Sequence, residues 1–211
     1  LTRHAREMVS KPIGYADPRG SLALRQQLVS YLSMARGIRC HASQVIITNG
    51  YAGALGLICL ALGLRSQRVW TEEPGYLLAR KALTLAGVEA VPVKVDEQGM
   101  CVAEGIRLAS DAAAALVTAG QQAPLGMTLS LERRAALLDW AERQQRWIIE
   151  DDYLGELQLQ GRAAPSLAAL DSGRVLHIGT FSKNLSPSLR LGYLVVPVSQ
   201  AAHFAETAAL L

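Results

Sequence analysis

Short apolar segments alternate with amphipathic segments along the chain. Runs of four to eight residues rich in Val, Ile and Leu predict strands, and apolar residues that recur every three or four positions predict helices. Helices are predicted for 21–35, 50–62, 76–86, 102–109 and 131–145, and from 199 onward. Strands are predicted at 45–48, 68–71, 89–95, 113–118, 147–150, 175–178 and 191–196. This alternation predicts an α/β fold with a mostly parallel seven-stranded sheet and helices on both faces.

Composition narrows the functional classes. Of 211 residues, 50% are hydrophobic and 18% are charged, so the chain can bury a core and is not intrinsically disordered. The net charge of +3 and the absence of a basic run argue against nucleic-acid binding by these residues. The most apolar stretch, 52–64, is too short to span a membrane. The chain starts at Leu1 without a signal-peptide pattern, and we expect it to be part of a longer protein. Three widely spaced cysteines predict no disulfide framework or metal site and favour the cytoplasm: Cys40, Cys59 and Cys101.

Polar residues follow several predicted strands. Ligands of parallel sheets bind beyond the carboxyl ends of the strands, which makes the loops there candidate site segments. The turn at 49–53 joins a strand to a helix, and its free N–H groups and the helix dipole favour an anion. Tyr76 begins a helix, where its ring either stacks on a planar ligand or packs against the protein.

The sequence Gly-Thr-Phe-Ser-Lys at 179–183 places an amine beside two hydroxyl groups. Thr180 and Ser182 can donate hydrogen bonds to an anion, and Arg190 can grip a phosphate. A neighbouring cation also lowers the pKa of a lysine and favours its nucleophilic form. This set suits a phosphorylated aldehyde held as a Schiff base on Lys183; the alternative is a surface lysine on a loop. The chain has only four lysines: Lys11, Lys81, Lys94 and Lys183.

Two aspartates follow a strongly apolar strand. An unpaired buried carboxylate is costly, and a protonated pyridine nitrogen would be a suitable partner for Asp151. Pyridoxal phosphate combines such a nitrogen with a lysine Schiff base. Alternatively, Asp151 and Asp152 cap the next segment or bind Mg²⁺. Their side chains alternate to opposite sides of the strand and lack further ligands, so no metal site is predicted.

Two further groups of residues are assigned structural positions. Trp70, Trp140 and Trp147 are expected in the core, and the arginines of the helix at 131–145 are expected on its solvated face. No histidine has the spacing of a catalytic triad.

Taken together, these motifs resemble fold-type I pyridoxal-phosphate proteins of the aminotransferase class I/II superfamily. The closer resemblance is to the aminotransferase-like domain of MocR/GabR-type transcriptional regulators of the GntR family. The residues that carry it cover nearly the whole chain: 15–20 with Leu24 and Arg25, 45–50, 73–76, 123–126 with 129–134, 148–153, and 179–183 with 189–197.

The resemblance implies a role for each candidate site residue. Lys183 is implied to be the catalytic residue and to hold pyridoxal 5'-phosphate as a Schiff base. Asp151 is implied to pair with the pyridine nitrogen, Tyr153 to bind the ring hydroxyl oxygen, and Tyr76 to stack on the ring. Gln122 is implied to approach the ring oxygen or the substrate. The phosphate is implied to bind five residues: Gly50, Tyr51, Thr180, Ser182 and Arg190.

The resemblance also implies an organisation and a function. Residues 1–211 are expected to be the large, pyridoxal-phosphate-binding domain, incomplete because the winged helix and the C-terminal small domain of the family are not in this chain. The expected function is effector sensing in a cytoplasmic, homodimeric regulator, with an amino compound or the cofactor as ligand. DNA would bind only through the absent domain, and no membrane is involved. The alternative is a pyridoxal-phosphate-dependent aminotransferase, so whether the protein is an enzyme stays open.

Overall fold

An eight-stranded sheet forms the centre of the computed structural model, which describes residues 16–155, 165–171 and 173–211. Tyr15 of the first motif and Lys11 lie outside the described residues. The strands are β1 (Val45–Thr48), β2 (Arg68–Glu73), β3 (Glu89–Asp96), β4 (Gly99–Met100), β5 (Ala114–Val117), β6 (Trp147–Asp152), β7 (Val175–Thr180) and β8 (Gly192–Val195).

The strand order in the sheet is β1-β8-β7-β6-β5-β2-β3-β4. The five central strands β7, β6, β5, β2 and β3 are mutually parallel, whereas β8 runs antiparallel to both β1 and β7. The mostly parallel sheet is therefore confirmed, with eight strands instead of seven. The additional strand, β4, has only two residues and pairs antiparallel with β3, and so short an element leaves no hydrophobic period in the sequence.

Helices cover both faces of the sheet. They are α1 (Leu22–Arg36), α2 (Gly50–Ala61), α3 (Leu77–Leu85), α4 (Val102–Leu108), α5 (Leu131–Arg143), α6 (Leu167–Leu170) and α7 (Ala201–Ala208). Short 3-10 helices occur at Ala42–Gln44, Pro187–Leu189 and Val198–Gln200. The predicted ends hold where a cap is present: the Ser130 side chain accepts a hydrogen bond from the backbone N–H of Arg133 at 3.3 Å, and Gly37 ends α1 with φ +70°.

Two apolar clusters separate the layers. One face of the sheet packs on α1, α4, α5 and α6, and the other packs on α2, α3 and α7. Successive residues of β6 alternate between the clusters, since Ile148 belongs to the first and Ile149 to the second. The chain beyond Ile149 continues this alternation into polar residues at the carboxyl end of β6, where the candidate site lies.

The tryptophans and the arginines of α5 differ in part from expectation. Trp70 and Trp140 are buried and stack with ring centroids 4.0 Å apart, and Trp147 is half-buried. The expectation that the arginines of α5 lie on its solvated face is wrong for Arg134. Its guanidinium is buried because backbone carbonyl oxygens of Leu129, Ala119 and Pro165 accept its N–H groups.

No helix within the described residues is long and apolar enough to cross a membrane.

Candidate functional site

A cavity of about 430 Å³ opens at the carboxyl ends of the central strands. It is lined by nine of the ten predicted site residues, which come from the start of α2, the start of α3, the ends of β6 and β7 and the loops that follow these two strands: Gly50, Tyr51, Tyr76, Asp151, Tyr153, Thr180, Ser182, Lys183 and Arg190. The structure thus brings together residues that lie up to 140 positions apart in the chain. Their roles toward a ligand remain predictions.

The first turn of α2 lies close to the backbone of β8. Gly50 has φ +67°, and a Cβ atom there would lie 3.5 Å from the carbonyl oxygen of Arg190, which itself adopts a left-handed conformation with φ +51°. A Cβ atom on Gly192 would lie 2.9 Å from the carbonyl oxygen of Gly179. The N-cap residue Asn49 makes no side-chain hydrogen bond to the helix. The first N–H groups of α2 therefore remain available for an anion beside the hydroxyl and guanidinium groups of the cavity.

Lys183 lies on the loop that follows β7. The loop is held by backbone hydrogen bonds from Leu185 and Ser186 to the carbonyl oxygen of Phe181, at 2.9 and 3.2 Å, and by Ser182 N–H donating to Thr180 Oγ1 at 3.1 Å. The Lys183 ammonium group makes no hydrogen bond or ion pair with any described residue. The amine thus faces the cavity with its donors uncommitted.

Asp151 carries the buried acid of the cavity. It is 6% exposed and forms no ion pair with any described basic residue. The buried Tyr51 hydroxyl lies beside its carboxyl but completes no hydrogen bond within the described part of the chain. Burial, and then the nearby charges of Asp152 and Glu72, raise the pKa of Asp151 well above its usual range. A carboxyl in these surroundings lacks a cation, which a protonated pyridine nitrogen would supply.

The opposite face of β6 holds a buried charge network. Arg36 Nε donates to Asp152 Oδ2 at 2.6 Å, and its Nη1 donates to the Gly155 carbonyl oxygen at 2.8 Å. The imidazole of His177 is fully buried, with Nδ1 2.9 Å from Glu150 Oε2 and Nε2 3.8 Å from Asp152 Oδ2. This network fixes the end of β6 from the side that does not face the cavity.

Glu150 is the acid of that network whose carboxylate accepts the most hydrogen bonds. Its carboxylate accepts hydrogen bonds from the Ser166 hydroxyl at 2.5 Å and from the backbone N–H of Leu167 at 2.7 Å. Burial alone would raise the pKa of Glu150, but His177, Ser166 and Leu167 together lower it to about 2. The sequence does not identify this network; its only signal is the run of three acids, 150–152, at the end of a buried strand, of which the first and third share a face.

Two of the three aromatic site residues contact each other. Tyr76 is 45% exposed, and its ring lies edge-on to that of Tyr51, with centroids 5.9 Å apart and planes inclined by 68°. Burial and the charges of Asp151 and Glu72 raise the pKa of the third phenol, Tyr153, so that it stays a hydrogen-bond donor at neutral pH.

Gln122 is the one predicted site residue that does not line the cavity. It is 1% exposed, and its Nε2 lies 2.8 Å from the Pro74 carbonyl oxygen and 3.3 Å from Glu72 Oε2, while its Oε1 accepts from Leu125 N–H at 3.0 Å. These bonds engage both ends of the amide, and the neighbouring Ala123 lines the cavity instead. The structure therefore gives Gln122 a place in holding the loop.

Metal and disulfide chemistry find no support in the described residues. No group of three His, Cys, Asp or Glu residues there could hold a metal ion. The three cysteines are free thiols.

The donor set fits pyridoxal phosphate. The free amine matches the aldehyde of the cofactor, and the buried carboxyl without a cation matches its pyridine nitrogen. The open helix N-terminus, with its adjacent hydroxyl and guanidinium groups, matches the phosphate. The three features lie in one cavity, and polar loops arranged by chance would not be expected to bring them together.

Comparison with known proteins agrees with this interpretation. The model of the family "Aminotransferase class I and II" matches residues 7–210. The probable rhizopine catabolism regulatory protein MocR of Rhizobium meliloti is 39% identical over 205 residues, covering 97% of this chain and 41% of that protein. The pyridoxine biosynthesis transcriptional regulator PdxR of Corynebacterium glutamicum is 35% identical over 196 residues, covering 93% and 42%. The chain spans about two fifths of the length of these relatives.

Solved structures share the fold. The kynurenine aminotransferase of Pyrococcus horikoshii, in complex with PMP, superposes with a TM-score of 0.87 at 27% identity, over 99% of this chain and 54% of that one. The α-aminoadipate aminotransferase LysN of Thermus thermophilus, complexed with N-(5'-phosphopyridoxyl)-L-leucine, superposes with a TM-score of 0.84 at 25% identity, over 98% and 53%. These complexes and the family indicate pyridoxal phosphate as the cofactor. The chain belongs to the aminotransferase class I and II family.

Proposed function

We propose that this chain is the pyridoxal-phosphate-binding, effector-sensing part of a MocR-type transcriptional regulator. The observation that carries the proposal is the pairing, in one cavity, of an uncommitted amine on Lys183 with a buried carboxyl on Asp151 that lacks a cation. The names of the curated relatives as regulators support the regulatory part of the proposal.

Each site residue has a defined task in this proposal. When bound, the cofactor supplies an aldehyde that captures amines and a ring that withdraws electrons. Lys183 supplies the amine that attaches it, and Asp151 holds a proton at the pyridine nitrogen. Tyr153 would donate to the ring hydroxyl oxygen, and Tyr76 would pack on the ring. The first turn of α2 (Gly50 and Tyr51), together with Thr180, Ser182 and Arg190, would hold the phosphate.

The partners follow from the same proposal. The effector is an amino compound, or the cofactor itself, because a primary amine can exchange with Lys183 for the aldehyde. The protein acts as a homodimer in the cytoplasm and binds DNA through a domain outside this chain.

A second candidate function is that of an aminotransferase. Its support is the superposition on the kynurenine aminotransferase over 99% of this chain. Both functions use the same site residues, so the site alone does not distinguish them.

Cofactor binding is tested by titrating the full-length protein with pyridoxal phosphate and recording its visible absorption. We expect a saturable band that Lys183→Ala removes. Lys81→Ala, which changes an exposed lysine on α3, is the matched control and should retain the band. An unchanged band and affinity in Lys183→Ala would refute the assignment.

The two candidate functions separate on turnover. An aminotransferase converts many equivalents of an amino acid and a 2-oxo acid per site, whereas a sensor converts none and instead changes its affinity for promoter DNA when the amino compound is added. The sequence encoded upstream of Leu1 gives a prior indication, since a winged helix there favours the regulator.

A further inference from the structure

A second, much smaller cavity lies against the candidate site. It has a volume of about 20 Å³ and shares Tyr51, Tyr76 and Asp151 with the larger cavity, while Glu72 and Thr118 add further oxygen atoms to its lining. A space of this size holds about one water molecule, provided that two to four polar groups surround it. Four polar residues among those that line it can supply such groups: Tyr51, Glu72, Thr118 and Asp151.

Glu72 is a buried acid that the proposed function does not use. It lies near the end of β2, is 7% exposed, and forms no ion pair with any described residue. Its carboxyl accepts hydrogen bonds from Thr118 N–H at 3.2 Å, from Thr118 Oγ1 at 2.5 Å and from Gln122 Nε2 at 3.3 Å. Burial raises the pKa of Glu72 in spite of these bonds. The carboxyl is therefore held firmly in place but is not neutralised by a cation.

The Tyr51 hydroxyl points to the same space. It is buried and has no hydrogen-bond partner among the described residues, an arrangement that costs free energy unless a water or ligand satisfies it. Burial, followed by the charges of Asp151, Tyr76 and Glu72, raises its pKa well above the usual range, so the phenol keeps its proton.

We propose that the Tyr51 hydroxyl, one water in this cavity and the carboxyls of Glu72 and Asp151 form a single buried network in which the two acids share one proton. Two like charges in a low-dielectric site do not both ionise readily, so the pair titrates as a unit. Glu72 is then a positioning residue that sets the charge of Asp151. The proton passes between the two carboxyls, and none is gained or lost in the exchange.

The other charged groups around the pair leave this arrangement intact. Arg80 lines the cavity, but its guanidinium donates to the backbone carbonyl oxygen of Glu72 at 3.0 Å and pairs with Glu73 at 2.5 Å. Asp152 and Glu150, next to Asp151 on β6, add negative charge and thus favour its protonated form. Lys183 and Arg190 also line the larger cavity with Asp151, but neither forms an ion pair with it; the remaining titratable neighbours are the phenols of Tyr76 and Tyr153.

The network has a consequence for the cofactor, and this part rests on the proposed function. With a cation beside Asp151, Glu72 would hold the shared proton, and Asp151 would be the anion available to the pyridine nitrogen. Over the pH range in which the pair holds one proton, cofactor binding would then neither take up nor release a proton at the pair. The titration of Asp151 would therefore not make the cofactor affinity depend on pH in that range.

The network itself is tested without cofactor, by infrared titration of the carboxyl bands in the full-length protein labelled with ¹³C-aspartate. Wild type should show Asp151 titrating in two steps that belong to the pair. Glu72→Gln should replace them with one step, about one pH unit or more below the upper one. Glu73→Gln is the matched control, because its exposed carboxyl lies on the same strand, and it should leave both steps unchanged.

A second variant keeps the test decisive if Glu72→Gln does not fold. Tyr51→Phe removes the hydroxyl that lies beside the Asp151 carboxyl and favours its ionised form, and it should move the Asp151 titration upward, opposite to the Glu72 change. Asp151 titrating identically in wild type and in either folded variant would overturn the network. Because these readouts need no cofactor, a protein that does not bind pyridoxal phosphate can still show the network, and the two failures stay distinct.

Discussion

Asp151 and Asp152 are adjacent on β6, yet their carboxyls have opposite surroundings. Asp152 accepts a hydrogen bond from Arg36 Nε at 2.6 Å on one face of the sheet, whereas Asp151 faces the cavity without a cation from the described residues. The period of two along a strand makes this separation possible. One acid stabilises the end of β6, and the other is left for a ligand.

The Arg36–Asp152 pair predicts a large stability loss when only one partner is removed. Arg36→Met leaves a buried carboxylate unpaired, and we expect the free energy of unfolding to fall by roughly 3 kcal/mol. Arg39→Met, at an exposed position just beyond α1, is the control and should change it by less than about 0.5 kcal/mol. Urea denaturation monitored by circular dichroism measures both, and equal effects would contradict the structural role of Arg36.

Glu150 predicts how the fold responds to acid. Its pKa is lowered from 4.5 to about 2 in the folded protein, so its contribution is present above pH 4.5 and is lost as the pH falls toward 2. Glu150→Gln should cost roughly 3 kcal/mol at about pH 7 and flatten this acid dependence. Denaturation series from acidic to neutral pH test it; parallel curves for variant and wild type would show that Glu150 is not the responsible group.

Asp151 predicts the opposite pH dependence in the protein without cofactor. Its folded pKa lies above the unfolded value of 3.8, so the folded state binds more protons and stability falls as the pH rises above that value. The slope contributed by one such group is at most about 1.4 kcal/mol per pH unit. Asp151→Asn should remove this slope, and the same denaturation series measures it. If the variant retains the wild-type slope, a group other than Asp151 is responsible for this pH dependence of stability.

Gly179 predicts a steric limit at the base of the site. A Cβ atom there would overlap the ring of Tyr193, so Gly179→Ala should destabilise the fold by about 2–3 kcal/mol. Gly56→Ala, within α2, meets no atom within 4 Å and should stabilise it by about 1 kcal/mol through helix propensity. Thermal unfolding of the two variants gives shifts of opposite sign if the packing is as described.

Much of the fold follows from the sequence because its elements are strongly periodic. The predicted ends of β1 are the observed ones, and those of α5 agree within two residues because Ser130 caps the helix. The two-residue β4 and the four-residue α6 are absent from the prediction, since neither is long enough to show a period. The parallel sheet that this periodicity predicts also indicates which loops meet at the site, namely those that follow the carboxyl ends of its strands.

The parts that sequence reasoning misses depend on tertiary partners. Arg134 is buried only because three distant carbonyl oxygens accept its N–H groups, and no local pattern encodes them. Gln122 lies in the predicted loop, but its amide donates to Glu72 of β2 and to Pro74 of the loop after β2 and therefore does not line the cavity. Local spacing predicts which loop reaches the site and does not predict which side chain of that loop faces it.

The proposed function depends most directly on covalent attachment of pyridoxal phosphate to the amine of Lys183. The direct measurement is borohydride reduction of the cofactor-loaded full-length protein, followed by proteolysis and mass spectrometry of the labelled peptide. We predict one phosphopyridoxyl group, on the peptide that contains Lys183, and none on those that contain Lys81 or Lys94. Label on another lysine, or no stable label at saturating cofactor, would contradict this claim.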